Sequence, residues 1–121
     1  MTSTIIFRVD ASLTIGSGHL VRCRNLARTF RDRGFDIIFI YRAHNDSIAK
    51  QLLCDEFTSF ELPPIIAPSS YTSQDPSIGY SHWLGCSEYA DSNDFVSLLR
   101  RLNISSFDYL VVDHYAIGHD W

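Results

Sequence analysis

Apolar and polar positions along this chain switch between two periods. Thr4 to Val9 (TIIFRV) is a run of β-branched and apolar residues, which predicts a buried strand. From about His19 the spacing changes. Leu20, Cys23, Leu26, Ala27 and Phe30 recur every three or four residues, while Arg22, Arg24, Arg28 and Arg31 fall on other faces. That pattern predicts an amphipathic helix, which Gly34 ends as a C-cap glycine would. Phe35 to Tyr41 (FDIIFIY) is nearly continuous in apolar residues, as expected of a strand in a parallel sheet covered on both faces.

Asp46 or Ser47 is placed to cap a short helix through about Glu56, with Ile48, Leu52 and Leu53 inward. Phe57 to Leu62 reads as a third, weaker strand. Pro63, Pro64 and Pro68 make the next segment an extended loop, because proline removes donors and restricts the residue before it. A further helix is expected from about Glu88 to Leu102, with Phe95, Leu98, Leu99 and Leu102 on one side. A last strand, Tyr109 to Val112, leads into Asp113-His114-Tyr115. Strands alternating with helices, without hairpin signals, predict βαβ units and a parallel sheet, an α/β fold.

At 121 residues the chain is one small domain or a piece of a larger one. It stops at Trp121, after a strand and a polar loop, where another helix would cover the sheet. The expectation is a truncated or split polypeptide that leaves apolar sheet surface exposed. Composition excludes other classes: 45% hydrophobic and 20% charged residues argue against disorder. A net charge of -4 offers nucleic acid no basic footprint. Cys23, Cys54 and Cys86 form no CxxC pair, so a disulfide framework or zinc site is not expected, and a reducing cytoplasm is. Neither a secretory leader nor an 18-residue apolar run is present, so no membrane association is expected.

In open α/β sheets ligands bind beyond the carboxyl ends of the strands. Two polar clusters fall there: Asp10 to His19 after the first strand, and Asp113-His114-Tyr115 after the last. If they share a sheet edge they converge on one cleft. Gly16 and Gly18 bracket Ser17 and permit a tight turn and close approach of a ligand. His19 falls in the first helical turn, where unpaired N–H groups favour an anion and a neutral imidazole over a charged one. Such an imidazole can serve as a general base near neutral pH. The pattern alone leaves two readings open: an ordinary turn with a histidine in the first helical turn, or a catalytic site.

Asp113 and His114 divide likewise between a strand-end cap and a chemical pair. The candidate substrate contacts in these clusters are Asp10, Gly16, Ser17, Gly18, Asp113, His114 and Tyr115, with His19 as the catalytic candidate. His44, His82 and His119 have no i, i+4 partner, so no metal is expected. Tyr80 and Trp83 could stack on a sugar or base, or simply pack. GxGH is not the GxGxxG fingerprint, since Val21 stands where the third glycine would be. Tyr41-Arg42 replaces the acidic residue a dinucleotide would need, and GxxxxGK[ST] is absent, so no cofactor is expected.

The run Arg8-x-Asp10-Ala11-Ser12-x-x-Ile15-Gly16-Ser17-Gly18-His19-x-x-Arg22-Cys23-x-x-Leu26-Ala27 resembles the N-terminal signature of a nucleotide-sugar hydrolase family. These are the UDP-2,4-diacetamido-2,4,6-trideoxy-β-L-altropyranose hydrolases of pseudaminic acid biosynthesis, related to spore-coat polysaccharide biosynthesis proteins. Trp83-Leu84-Gly85 with Asp91, and Val111 to Ile117 with Trp121, agree in the same order. The resemblance implies a GT-B-type architecture of two Rossmann-like halves, of which residues 1–121 would be an incomplete N-terminal domain lacking the C-terminal nucleotide-binding one. It implies metal-independent release of UDP with inversion at the anomeric carbon, and it maps the catalytic histidine onto His19 and a substrate contact onto Arg22. Most uridine and diphosphate contacts would come from the absent half, supplied by another chain, so the isolated chain is expected to have little or no activity. Two alternatives stand beside this: a GT-B glycosyltransferase on a similar donor, and a non-catalytic fragment that needs a partner domain.

Overall fold

The structure is a computed structural model and describes residues 2–12, 15–43, 48–53, 55–64, 86–114 and 117–121. Tyr115, the Tyr80 to Gly85 stretch, His44, Asp46, Ser47, Cys54 and Pro68 lie outside them. The element order is β1 (Thr4–Val9), α1 (Gly18–Asp32), β2 (Asp36–Arg42), α2 (Ile48–Leu53), β3 (Thr58–Leu62), α3 (Glu88–Arg101) and β4 (Tyr109–Asp113). The four strands form one all-parallel sheet in the order β3-β2-β1-β4, consistent with a Rossmann-like fold.

Alternation along the strands divides the core in two. Ile5, Phe7 and Val9 of β1, with Ile37, Phe39 and Tyr41 of β2, face Leu20, Cys23 and Ala27 of α1 and Ala49 and Leu53 of α2. Ile6 and Ile40 point the other way, against Phe95, Leu98 and Leu99 of α3. Each fully buried Leu, Ile or Phe contributes about 1.5–3 kcal/mol, so both layers are needed to hold the sheet. Trp121 packs into the second layer, its ring edge-on to Phe95 at 5.1 Å. Exposed apolar surface remains on the edge strand β4, at Tyr109 and Val112. Among the described residues no helix is long and apolar enough to cross a membrane.

Helix ends follow local chemistry. Gly34 (φ 92°) and Asn103 (φ 58°) take the left-handed conformation after α1 and α3. Phe35 N–H donates to Phe30 C=O, and Ile104 N–H to Leu99 C=O, closing both helices with a Schellman-type bond. Gly16 (φ 84°) is also left-handed, in the turn where its N–H donates to Ser12 C=O at 2.6 Å. A Cβ there meets nothing within 4 Å, so the cost of Gly16→Ala is backbone strain alone. That substitution is expected to destabilise by about 1–2 kcal/mol in urea denaturation. Gly18→Ala, with neither positive φ nor a clash, should stay near wild type.

Candidate functional site

The chain runs outward from β1 through β2 to β3, then returns to the opposite side of β1 as β4. The point of reversal, between the carboxyl ends of β1 and β4, is where such sheets bind ligands. The register pairs Val9 with Asp113, so the next residues along the two strands, Asp10 and His114, sit side by side. The two polar clusters anticipated from the sequence therefore meet at one sheet edge, and they do so as two Asp–His pairs.

The outer pair joins α1 to β4. His19 Nδ1 lies 2.6 Å from Asp113 Oδ1, with His19 buried and the Asp113 side chain 21% exposed. Arg22, one turn along α1, reaches the same carboxylate with Nε at 3.0 Å and Nη2 at 2.6 Å. The Cys23 thiol donates to it at 3.6 Å, and burial followed by the Asp113 charge pushes that thiol up to about 12, leaving it unreactive. Burial opposes the charge on Asp113, but hydrogen bonds from His19 and Arg22 outweigh it and hold the carboxyl below the usual carboxylate range.

An ionised carboxylate only accepts hydrogen bonds, so the proton on the His19–Asp113 contact belongs to Nδ1. In a neutral ring the lone pair is then on Nε2. Arg22 Nη2 also approaches Nδ1 at 3.1 Å, but a guanidinium only donates. That approach is a donor–donor contact imposed by the carboxylate they share.

The pH consequence for Asp113 has a definite sign. A group with a depressed folded value contributes stability above its ordinary value of 3.8 and loses it as pH falls towards the folded value. The difference in urea midpoint between the native chain and Asp113→Asn is expected to shrink as pH falls below about 4. A difference that grows on acidification below about pH 4 would reverse the assignment.

The inner pair is sealed. His114 Nε2 lies 3.1 Å from Asp10 Oδ2, and both side chains are essentially inaccessible. Asp10 Oδ1 also accepts from Arg8 Nη1 at 2.6 Å and from the Arg42 backbone N–H at 2.7 Å. Asp10 and His114 thus tie β1, β2 and β4 together beneath the outer pair, whereas His19 and Asp113 stand nearer the surface.

Arg8 and Arg42, on the α3 side of the sheet, both bind Asp91, which also accepts from Trp121 Nε1 at 2.8 Å. Burial works against the Arg8 charge, but Asp10 and Asp91 more than offset it and raise its proton affinity. Asp91 is held below the usual carboxylate range, its burial outweighed by Arg8 and Arg42. This network was missed as a unit from the sequence. Its signal was an arginine at an inward strand position: Arg8 shares a face with Ile6, and Arg42 with Ile40.

Ser17 precedes α1 but makes no side-chain cap, and no acidic residue occupies the first turn. Ser87 before α3, by contrast, accepts from Ala90 N–H at 2.9 Å. Gly16, Ser17 and Gly18 directly precede His19, and a Cβ at either glycine would meet nothing within 4 Å. Among the described residues no three His, Cys, Asp or Glu side chains are grouped to hold a metal ion. A cavity of about 390 Å³ lies at the opposite edge of the sheet, beside Thr4, Asp36 and Thr58. Its Arg31 pairs with Glu56 at 3.4 Å and stacks on Phe57 at 4.8 Å. Comparisons with protein-family models, curated proteins and solved structures found no match.

Proposed function

We propose that this chain carries the general base of a nucleotide-sugar hydrolase, the Asp113-oriented imidazole of His19. The observation that carries the proposal is the 2.6 Å His19–Asp113 contact at the reversal point of a parallel sheet. A carboxylate on Nδ1 fixes the tautomer and stabilises the imidazolium formed when Nε2 takes a proton, a role for which a histidine with a second orienting group is suited. The sequence resemblance supplies the substrate class, a UDP-linked 2,4-diacetamido-2,4,6-trideoxy sugar, in a cytoplasmic step of pseudaminic acid formation.

In the reaction so assigned, His19 Nε2 removes a proton from a water as its oxygen attacks the anomeric carbon. The bond from that carbon to the diphosphate oxygen breaks, and its electron pair leaves with UDP. UDP is a good leaving group, so no strong general acid is needed. Attack opposite the leaving group inverts the anomeric centre. The reading places this chain as one half of a GT-B-type pair, with uridine held by a second Rossmann-like half.

The test is UDP release from the UDP-sugar by the chain reconstituted with a nucleotide-binding half, with the product anomer followed by ¹H NMR. Free inverted sugar without any acceptor supports hydrolysis. Turnover only with an acceptor would make the protein a transferase, and efficient UDP release by the 121-residue chain alone would contradict the need for a second half.

A further inference from the structure

Arg22 is placed to act on His19 without touching it productively. Its Nε and Nη2 grip both oxygens of Asp113, at 3.0 Å and 2.6 Å to Oδ2 and 2.8 Å to Oδ1. Oδ1 is also the acceptor for His19 Nδ1–H. One carboxylate oxygen therefore serves a guanidinium and an imidazole together, and charge drawn towards the first is withdrawn from the second. The Arg22 side chain is 66% exposed while the carboxylate it grips is 21% exposed. The cation is thus the solvent-facing member of the triangle, and the imidazole and carboxylate are the enclosed ones.

We propose that Arg22 is a displaceable latch on the His19–Asp113 pair, and that an anionic group of the diphosphate class, by drawing the guanidinium away, leaves His19 as the principal donor to Asp113 and strengthens the base. The proposal rests on the functional reading above, because the substrate named there brings a diphosphate to this edge of the sheet. Arg22 is in this sense a positioning residue. It acts through Asp113, coupling arrival of the anion to readiness of the imidazole. Other charged and titratable groups nearby are already committed: the Cys23 thiol to Asp113, and His114 to Asp10.

The test uses the 121-residue chain and needs no turnover. The His19 Nδ1 proton is observed by ¹H NMR in water, assigned by its loss in His19→Asn. Strengthening of its bond to Asp113 moves the resonance downfield. Arg22→Gln is expected to show that shift without any ligand, and the Asp113 carboxyl carbon should titrate at higher pH than in the native chain. Inorganic pyrophosphate added to the native chain should produce the same downfield shift, beyond that given by sodium chloride at equal ionic strength. It should have no such effect on Arg22→Gln, while Arg22→Lys should fall between.

An unmoved resonance in Arg22→Gln overturns the latch. A shift in Arg22→Gln with no response of the native chain to pyrophosphate overturns displacement by the anion. A failed hydrolysis assay with both shifts present would instead count against the assigned reaction.

Discussion

Asp91→Ala is expected to remove about 3–5 kcal/mol of stability, the largest loss predicted for this chain. Asp91 accepts from Arg8 Nε at 3.0 Å, Arg8 Nη2 at 2.7 Å, Arg42 Nη2 and Trp121 Nε1. Both guanidinium groups are fully buried. Alanine would leave Arg42 with Asp94 as its carboxylate, whose side chain is partly in solvent, and Arg8 with Asp10. Breaking one partner of a buried ion pair costs about 3–5 kcal/mol, and a domain of this kind has about 5–15 kcal/mol in total. The same change removes the acceptor of Trp121 Nε1, whose ring packs on Phe95. Urea denaturation followed by circular dichroism reads the loss directly. Asp94→Ala removes the partly exposed partner of Arg42 and should cost far less, about 1 kcal/mol or below. A midpoint for Asp91→Ala within the range of Asp94→Ala would show that the network does not depend on its hub.

Much of the fold was legible because strand and helix periods differ. TIIFRV became β1 with the bounds expected, and the apolar repeat became the stripe of α1, buried at Leu20, Cys23 and Ala27 but exposed at Leu26. Helix ends were legible where the chemistry is local, as at Gly34. Asn103 was not anticipated, because asparagine takes the left-handed position less regularly than glycine. The start of α2 at Asp46 or Ser47 falls outside the described residues, as does Tyr115.

The candidate site was legible in part and for a different reason. Polar residues after β1 and β4 could be assigned to strand ends, but which carboxylate meets which histidine depends on register. Two Asp–His pairings were open, and a one-residue difference in strand pairing decides between them. With Val9 opposite Asp113, Asp10 falls to His114 and Asp113 to His19. Asp10 and His114 are hydrogen-bonded to each other beneath the surface, and Asp10 also to Arg8 and Arg42. Arg8, Arg42 and Asp91 could not be joined from sequence because they come from β1, β2 and α3 and only the packed layers bring them together.

His19→Asn is expected to have the largest effect on activity. Asparagine keeps a polar side chain at the start of α1 and a donor for Asp113, but has no lone pair that can take a proton from water near neutral pH. Loss of a positioned general base lowers turnover by about 10²- to 10⁴-fold, with substrate affinity largely retained because Arg22 and the glycine turn are unchanged. Stability should change little, since the buried brace through Asp10 and His114 does not include His19.

The direct measurement is the rate of UDP release from the UDP-linked 2,4-diacetamido sugar, in the absence of acceptor, by the reconstituted native protein and by its His19→Asn variant. Expected is acceptor-free release by the native protein and a loss of about 10²-fold or more in the variant. Near-normal release by a folded His19→Asn protein would contradict the assignment of His19 as the base.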